Sequence, residues 1–163
     1  YIMNANAQAH KLSAPLPTTI HFLGSLLTFR ARSEDTDGRF SLIECRTAPG
    51  AGAPPHLQTD EEAFLVTEGA FEFMLEGEVR TCGPGEFVYV KAGMVHAFRN
   101  PGQTPAKMLI FNMPGGQHEG FFLAAGEAVV DADSFPPMGL PDVPLLVATA
   151  ARFGIEILPP PGA

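Results

Sequence analysis

The chain has 163 residues, of which 45% are hydrophobic and 17% are charged. This length and composition predict one globular domain and exclude wholesale disorder. The formal net charge is −8, the sequence pI is about 5.0, and no run of lysine or arginine occurs. These features exclude a typical nucleic-acid binder and a protein that docks on an anionic membrane surface. We therefore expect no nucleic-acid partner and no membrane partner.

The cysteine content and the hydropathy bear on the cellular compartment. Cys45 and Cys82 are the only cysteines, and neither belongs to a C-x-x-C motif. They are interpreted as buried thiols in a reducing compartment. The apolar stretch at residues 20–29 is interrupted by His21 and Gly24 and is shorter than the roughly 18 residues that a membrane helix needs. A cytoplasmic location is the default expectation.

The first two thirds of the chain have the pattern of an all-β domain. Residues 1–18 mix polar and apolar residues with two prolines and are predicted to form an N-terminal arm. The segment 49–55 (PGAGAPP) is predicted to be a loop, because its prolines lack a backbone donor. Residues 87–90 (FVYV) are apolar throughout and are predicted to be buried on both faces. Strands are predicted at residues 19–32, 39–48, 62–68, 70–77, 78–82, 87–90, 95–100 and 106–113. Short strands at this spacing indicate a sandwich or barrel, here over residues 19–113.

The remaining residues, 114–163, are predicted to be a helical extension that covers the barrel. A short helix is possible within residues 115–129, and a clearer one is predicted at residues 142–153. Asp142 is a candidate N-cap, and Gly154 follows the last helical residue. Four apolar residues of this helix share one face by their spacing: Val143, Leu146, Val147 and Ala150.

Four side chains are candidates for a metal site. His56 and Gln58 are two residues apart and share a face if their segment is extended. Glu62 begins the next regular stretch, and His96 lies on a strand 34 residues later. If the two strands face each other inside a barrel, two imidazoles, a carboxylate and an amide oxygen converge. Imidazole and carboxylate together suit a divalent metal ion such as Fe, Ni, Mn, Zn or Cu, whereas Gln58 either coordinates it, holds a water or only lines the pocket.

Four apolar residues on the same strands are candidates for the walls of a substrate pocket: Phe64, Val66, Phe73 and Phe98. The alternative is that each one simply fills the core. Arg99 alternates out of phase with His96 and is expected outside the barrel. A mainly apolar interior suits an aromatic or weakly charged small molecule.

Two motifs resemble those of a known family. Residues 50–69 read G-x5-H-x-Q-x3-E-x6-G, and residues 85–100 read G-x5-K-x-G-x2-H-x3-N. They resemble the first and second motifs of the cupin superfamily, and GIEILPPPG after the C-terminal helix is similar to bacterial quercetin dioxygenase-like cupins. The resemblance implies a double-stranded β-helix, or jelly-roll barrel, with short C-terminal helices. It also implies metal ligation by His56, Glu62 and His96, with Gln58 at the position of the family's second histidine.

The resemblance implies a metal-dependent dioxygenase that acts on a small aromatic or enol compound. Glu62 would then be both a metal ligand and a proton acceptor. Two alternatives remain open at this point. One is a non-catalytic module that binds a small ligand, which the glutamine at position 58 favours, and the other is a metal-dependent isomerase or hydrolase. A homodimer is expected, with the N-terminal arm as a candidate for exchange between subunits.

Overall fold

The computed structural model describes residues 18–160, and within that range the chain forms twelve β-strands and two α-helices. The predicted N-terminal arm, apart from Thr18, lies outside the described residues. The strands are β1 (Thr19–Phe22), β2 (Ser25–Ala31), β3 (Ser41–Thr47), β4 (Gly52–Gln58), β5 (Glu61–Glu68), β6 (Phe71–Leu75), β7 (Glu78–Cys82), β8 (Phe87–Val90), β9 (His96–Arg99), β10 (Ala106–Met113), β11 (Glu127–Ala128) and β12 (Ile155–Ile157). The helices are α1 (Gln117–Ala125) and α2 (Val143–Arg152).

The strands form two antiparallel sheets, which confirms the predicted all-β jelly-roll fold. One sheet has the order β11-β1-β2-β3-β10-β5-β8, and the other has the order β12-β4-β9-β6-β7. Burial alternates residue by residue along β3 and β10, as expected when one face of a strand meets the core. The core contains the fully buried rings of Phe64, Phe71 and Phe73. Burial of such side chains stabilises the fold by about 1.5–3 kcal/mol each.

Only the first part of the segment predicted as a proline-rich loop is a loop: residues 49–51 form a turn, whereas residues 52–55 belong to a strand. β4 includes Pro54 and Pro55, and its pairing with β9 is irregular between Ala53 and His56. The prolines therefore sit where the ladder is already interrupted, so their missing N–H groups remove no regular hydrogen bond. At the start of β4, a Cβ on Gly52 would overlap the Phe98 carbonyl oxygen. The loop prediction was wrong for residues 52–55, because it did not allow for an irregular strand that contains proline.

The strand predicted to be buried on both faces is buried on only one. Val88 and Val90 are buried in β8, but Phe87 and Tyr89 are 55% and 42% exposed. β8 is the edge of its sheet, and its outer face has no covering layer among the described residues. The prediction failed because an apolar sequence does not reveal which face of a strand is covered.

Residues after β10 extend both sheets as well as forming helices. β11 pairs with β1, and β12 pairs with β4. α1 lies against β1, and α2 contacts both α1 and β12. The predicted cap of α2 is present, since the Asp142 side chain accepts a hydrogen bond from the Leu145 amide at 3.1 Å.

The predicted apolar face of α2 is only partly correct. Ala150 is buried and Leu146 is half-buried, whereas Val143 and Val147 are exposed. Thr149 is buried instead, because α2 packs chiefly through its C-terminal half, where its two buried residues lie. Neither α1 nor α2 has the length and hydropathy needed to cross a membrane.

Both cysteines are free and buried, as predicted. Burial raises the pKa of the Cys45 thiol to about 11, so this thiol is protonated at neutral pH. A protonated, buried thiol is neither a ready nucleophile nor a ready metal ligand.

Candidate metal site

Three strands bring His56, Glu62 and His96 together inside the barrel. His56 on β4 and His96 on β9 are cross-strand partners, and their ring centroids are 4.1 Å apart. His96 Nε2 lies 3.0 Å from Glu62 Oε2 on β5. All three residues are buried. The structure thus collects two imidazoles and a carboxylate from the two segments that carry the sequence motifs.

Gln58 belongs to the same cluster. Its side-chain Nε2 donates a hydrogen bond to Glu62 Oε2 at 2.9 Å. Its Oε1 is buried and has no hydrogen-bond partner among the described residues. The amide therefore orients the Glu62 carboxylate with its nitrogen and retains an unsatisfied oxygen.

Backbone carbonyl groups orient the rings of His56 and His96. His56 Nδ1 lies 2.7 Å from the Pro54 carbonyl oxygen, and His96 Nδ1 lies 2.8 Å from the Met94 carbonyl oxygen. A carbonyl oxygen can only accept, so each Nδ1 carries the proton and each Nε2 is the nitrogen that can bind a metal. Metal-ligating histidines in proteins are usually held in this way.

The close approach of His96 to Glu62 is a test of whether a cation fits. With Nδ1 protonated, a neutral His96 presents a lone pair at Nε2, and the Glu62 oxygen 3.0 Å away is also an acceptor. Two acceptors approach this closely only when a proton or a metal ion lies between them. Nitrogen and oxygen donors of this kind suit Fe, Ni, Mn, Zn or Cu, so the residues present fit a divalent metal.

Sequence reasoning missed His118 and Asp60. His118 lies on α1 and is 3% exposed, and its Nδ1 lies 2.8 Å from Oδ2 of Asp60, which is 2% exposed. One potential ligand atom from each of His56, Glu62 and His118 lies within 4.8 Å of the others. His118 falls outside both motifs, and Asp60 resembles part of a solvated acidic turn. The signal that identifies both residues is their contact inside the protein. That contact joins residues 58 positions apart, and no local sequence pattern predicts it.

Asn112 on β10 is a further buried polar residue beside the cluster. It pairs with Glu62 on β5 and with Ser41 on β3, so the three side chains point to the same side of the sheet. Neither side-chain atom of Asn112 has a hydrogen-bond partner among the described residues, and the Ser41 hydroxyl is also unsatisfied. Such groups usually bind ordered water or a ligand.

The charges of the cluster are set by mutual interactions. Burial disfavours the ionised form of Glu62, but His118, His96 and His56 outweigh burial and lower the pKa of Glu62 to about 2. Burial and the neighbouring His96 lower the pKa of His56 to about 4, although Glu62 opposes them. Burial also opposes protonation of His118, yet Glu62 and Asp60 raise the pKa of its imidazole overall. At neutral pH the site therefore contains an ionised Glu62 and a neutral His56.

A small apolar cavity adjoins the cluster. Its volume is about 60 Å³, and His56, Glu62 and His118 border it. The remaining lining is mainly apolar and includes Phe22, Leu27, Phe98, Phe121, Phe122 and Ile155. None of the described residues that line it is lysine or arginine. The polar groups thus stand beside a chamber that favours uncharged, apolar molecules.

The four predicted pocket residues occupy different positions. Phe98 borders the cavity, whereas Phe64, Val66 and Phe73 lie in the hydrophobic core outside its lining. A larger cleft, of about 360 Å³, lies between the β1–β2 turn and α2 and contains none of the predicted site residues. The smaller cavity is therefore the one that is bordered by potential metal ligands.

Residues 43–112 match the family described as cupin domain. Among curated proteins, a mannose-1-phosphate guanylyltransferase of Escherichia coli is 24% identical over 78 residues, which are 47% of this chain and 16% of that protein. The homologous enzyme ManC of Salmonella typhimurium is 27% identical over the same share of each chain. The matched segment is thus about one sixth of the length of these relatives.

Several solved structures share the fold. KdgF from a Halomonas species superposes with a TM-score of 0.55 at 19% identity, covering 61% of this chain and 91% of that chain. An RmlC-like cupin from Shewanella frigidimarina superposes with a TM-score of 0.53 at 16% identity, covering 63% and 88%. A predicted oxalate decarboxylase from Thermotoga maritima gives a TM-score of 0.53 at 17% identity, covering 60% and 91%. At these identities the similarity concerns the fold alone.

Proposed function

We propose that this chain, whose residues 43–112 match the cupin domain family, is a metal-dependent enzyme, and specifically a dioxygenase acting on a small aromatic or enol compound. One observation carries this proposal: the buried cluster of His56, Glu62 and His96 stands beside a cavity that is otherwise apolar. Two histidines and one carboxylate are the donor set that non-haem iron oxygenases use.

His56, Glu62 and His96 would hold the metal, and Gln58 lies beside them. When bound, a divalent Fe, Ni, Mn or Cu ion would supply Lewis-acid and redox chemistry, whereas Zn would supply Lewis-acid chemistry only. The carbonyl groups of Pro54 and Met94 fix the two rings with Nε2 facing the cluster. The ionised Glu62 and the neutral His56 are already in the protonation states that metal binding requires.

The cavity chemistry restricts the substrate class. The described lining contains no lysine or arginine that could pair with the anionic groups of a phosphate ester or a dicarboxylate. The rings of Phe22, Phe98 and Phe122 favour a flat, weakly charged molecule. The volume of about 60 Å³ is well below the roughly 150 Å³ of a cavity that binds benzene. Binding of an aromatic substrate therefore requires the cavity walls to move outward.

Glu62 fits one of its two predicted roles better than the other. A carboxylate with a pKa of about 2 stays ionised and is a good metal ligand. It is a weak base, because an efficient proton acceptor has a pKa closer to the working pH. We therefore propose Glu62 chiefly as a ligand.

The test of the dioxygenase proposal is oxygen uptake by protein loaded separately with Fe, Ni, Mn, Cu or Zn. Flavonols, catechols and β-diketones form the substrate panel, and the masses of the products are measured by mass spectrometry after reaction under ¹⁸O₂. We expect substrate-dependent uptake with a redox-active metal, incorporation of both labelled atoms, and loss of turnover in His56→Gln. His21→Gln, which changes a buried histidine outside the cluster, is the matched control. Turnover with Zn and without oxygen consumption would instead identify an isomerase or hydrolase.

A non-catalytic binding module is the second candidate. Gln58 favours it, because its amide already donates a hydrogen bond to Glu62 and so helps to satisfy that carboxylate without a metal. Protein that binds panel compounds, but takes up no metal when purified without chelators and then reloaded, would identify this function. The homodimer and the cytoplasmic location stay predictions, which size-exclusion chromatography and cell fractionation would test.

A further inference from the structure

We propose that His118, which lies outside both sequence motifs, is a protein ligand of the metal in place of the histidine that Gln58 replaces. The metal would thereby fasten α1 over the apolar cavity. This inference rests on the proposed metal site but not on the dioxygenase activity.

The geometry of Gln58 leaves room for another ligand. The atom that Gln58 turns toward Glu62 is its amide nitrogen, 2.9 Å from Oε2. An amide nitrogen that donates a hydrogen bond has no lone pair for a metal. As oriented here, Gln58 steers the carboxylate with its nitrogen, and only its Oε1, which has no hydrogen-bond partner among the described residues, retains lone pairs.

His118 has the features of a ligand. One of its potential ligand atoms lies within 4.8 Å of such atoms of His56 and Glu62. Its Nδ1 is engaged by Asp60 at 2.8 Å, so Nε2 is the nitrogen that can bind a metal. All three imidazoles of the site therefore have Nδ1 hydrogen-bonded to an oxygen, from Pro54, Met94 or Asp60. A carboxylate behind a histidine is a recurrent support for metal ligands.

The charge around His118 also favours a cation. Glu62 and Asp60 are two buried carboxyl groups on the same side of the barrel as His118. Asp60 Oδ1 has no hydrogen-bond partner among the described residues. Buried carboxylates are normally compensated by a cation or by several donors. A divalent ion between His56, Glu62 and His118 supplies that compensation.

The same helix supplies two walls of the cavity. Phe121 and Phe122 follow His118 on α1, border the cavity and pack on Phe22 with ring centroids 5.4 and 5.7 Å away. A bond between the metal and His118 would hold these two rings in place, so the outward movement that an aromatic substrate requires would fall to walls on the strands, such as Pro54 and Phe98. Metal binding and closure of the cavity would then be coupled, because both require α1 in this position.

The first experiment counts ligands in the parent protein, so it does not depend on a variant that folds. X-ray absorption spectroscopy of the Zn-loaded, tag-free protein reports the number of imidazoles around the metal. We expect three, from His56, His96 and His118. Two imidazoles would overturn the inference while leaving the proposed metal site intact.

The second experiment moves the histidine from position 118 to position 58. His118→Gln should weaken Zn affinity by about tenfold or more, since loss of even an outer support of a ligand costs roughly 10–100-fold. Adding Gln58→His to that variant should restore most of the affinity, and His21→Gln should leave it unchanged. If His118→Gln binds Zn as tightly as the parent protein while His56→Gln loses the metal, this inference would be overturned and the proposed metal site would stand. Failure of the parent protein to bind any metal would overturn both this inference and the proposed function.

Hydrogen exchange tests the coupling to α1. We expect Zn to slow amide exchange across residues 117–125 in the parent protein and not in His118→Gln, with both compared to their chelator-treated forms. If His118 had only a structural role, Zn binding would not slow amide exchange over residues 117–125 in a way that depends on His118. Equal metal-induced protection of α1 in the parent and in the variant would overturn the proposed link.

Discussion

His56 and His118 are buried imidazoles in one cluster, yet their surroundings shift their pKa values in opposite directions. Burial and the adjacent His96 lower the pKa of His56 to about 4. Burial acts on His118 in the same sense, but Glu62 and Asp60 outweigh it and raise the pKa of His118. Since both rings are buried, the difference in direction follows from how strongly the neighbouring carboxylates act on each ring.

This difference predicts a pH dependence of stability in the metal-free protein. In the unfolded chain His56 titrates near pH 6.5, so the stability contributed by its neutral form is complete above that pH. It is lost as pH falls toward the folded value of about 4, by at most about 1.4 kcal/mol per pH unit. His118 has the opposite sign, since its contribution is complete below pH 6.5 and is lost as pH rises through its raised pKa.

Urea unfolding between pH 4.5 and pH 8.5, with a chelator present, separates the two effects. His56→Gln should reduce the loss of unfolding free energy on the acid side, and His118→Gln should reduce the loss on the alkaline side. His21→Gln is the control for removing a buried histidine. An acid-side slope in His56→Gln equal to that of the parent protein would contradict the pKa assigned to His56.

The motif spacing predicted four of the side chains that meet in the cluster. Strand periodicity placed His56 and Gln58 on one face, whereas the expectation that His96 lies beside them rested on the resemblance to the family's second motif, and β4 does pair with β9. His118 and Asp60 could not be predicted in this way. Their contact joins residues 58 positions apart and depends on where α1 lies against the barrel, which no local pattern encodes.

Turn residues and the alternation of apolar and polar residues predicted most of the strands. The burial of β8 and the strand conformation of β4 depend instead on how these strands pair with their neighbours. β8 is apolar along its whole length, and its burial on one face follows from its edge position. β4 contains two prolines and still forms a strand, because its ladder with β9 is interrupted there. Both outcomes depend on neighbouring strands that the segment's own sequence does not specify.

α2 offers a test of the helix cap that the sequence predicted. Asp142→Ala removes the side chain that accepts the Leu145 amide and should destabilise the protein by about 1 kcal/mol. Asp142→Asn retains the cap and should have a much smaller effect. The readouts are the free energy of unfolding and amide exchange over residues 143–152. Equal destabilisation by the two substitutions would show that charge, rather than capping, is what Asp142 contributes.

Two regions of the chain that are far apart in sequence contribute to the site. The barrel strands supply His56, Glu62 and His96, and the residues after β10 supply His118 and much of the cavity wall. β11 and β12 join that C-terminal region to both sheets. A fragment ending at β10 would therefore lack His118 and two pairing strands, in addition to both helices.

The most direct test of the metal site is elemental analysis of freshly purified, tag-free protein, before and after loading with Fe, Ni, Mn, Zn or Cu. We expect about one divalent ion per chain and loss of that ion in His96→Ala, which should still unfold cooperatively. An absence of bound metal under every loading condition, or equal metal content in the parent protein and in His96→Ala, would contradict it.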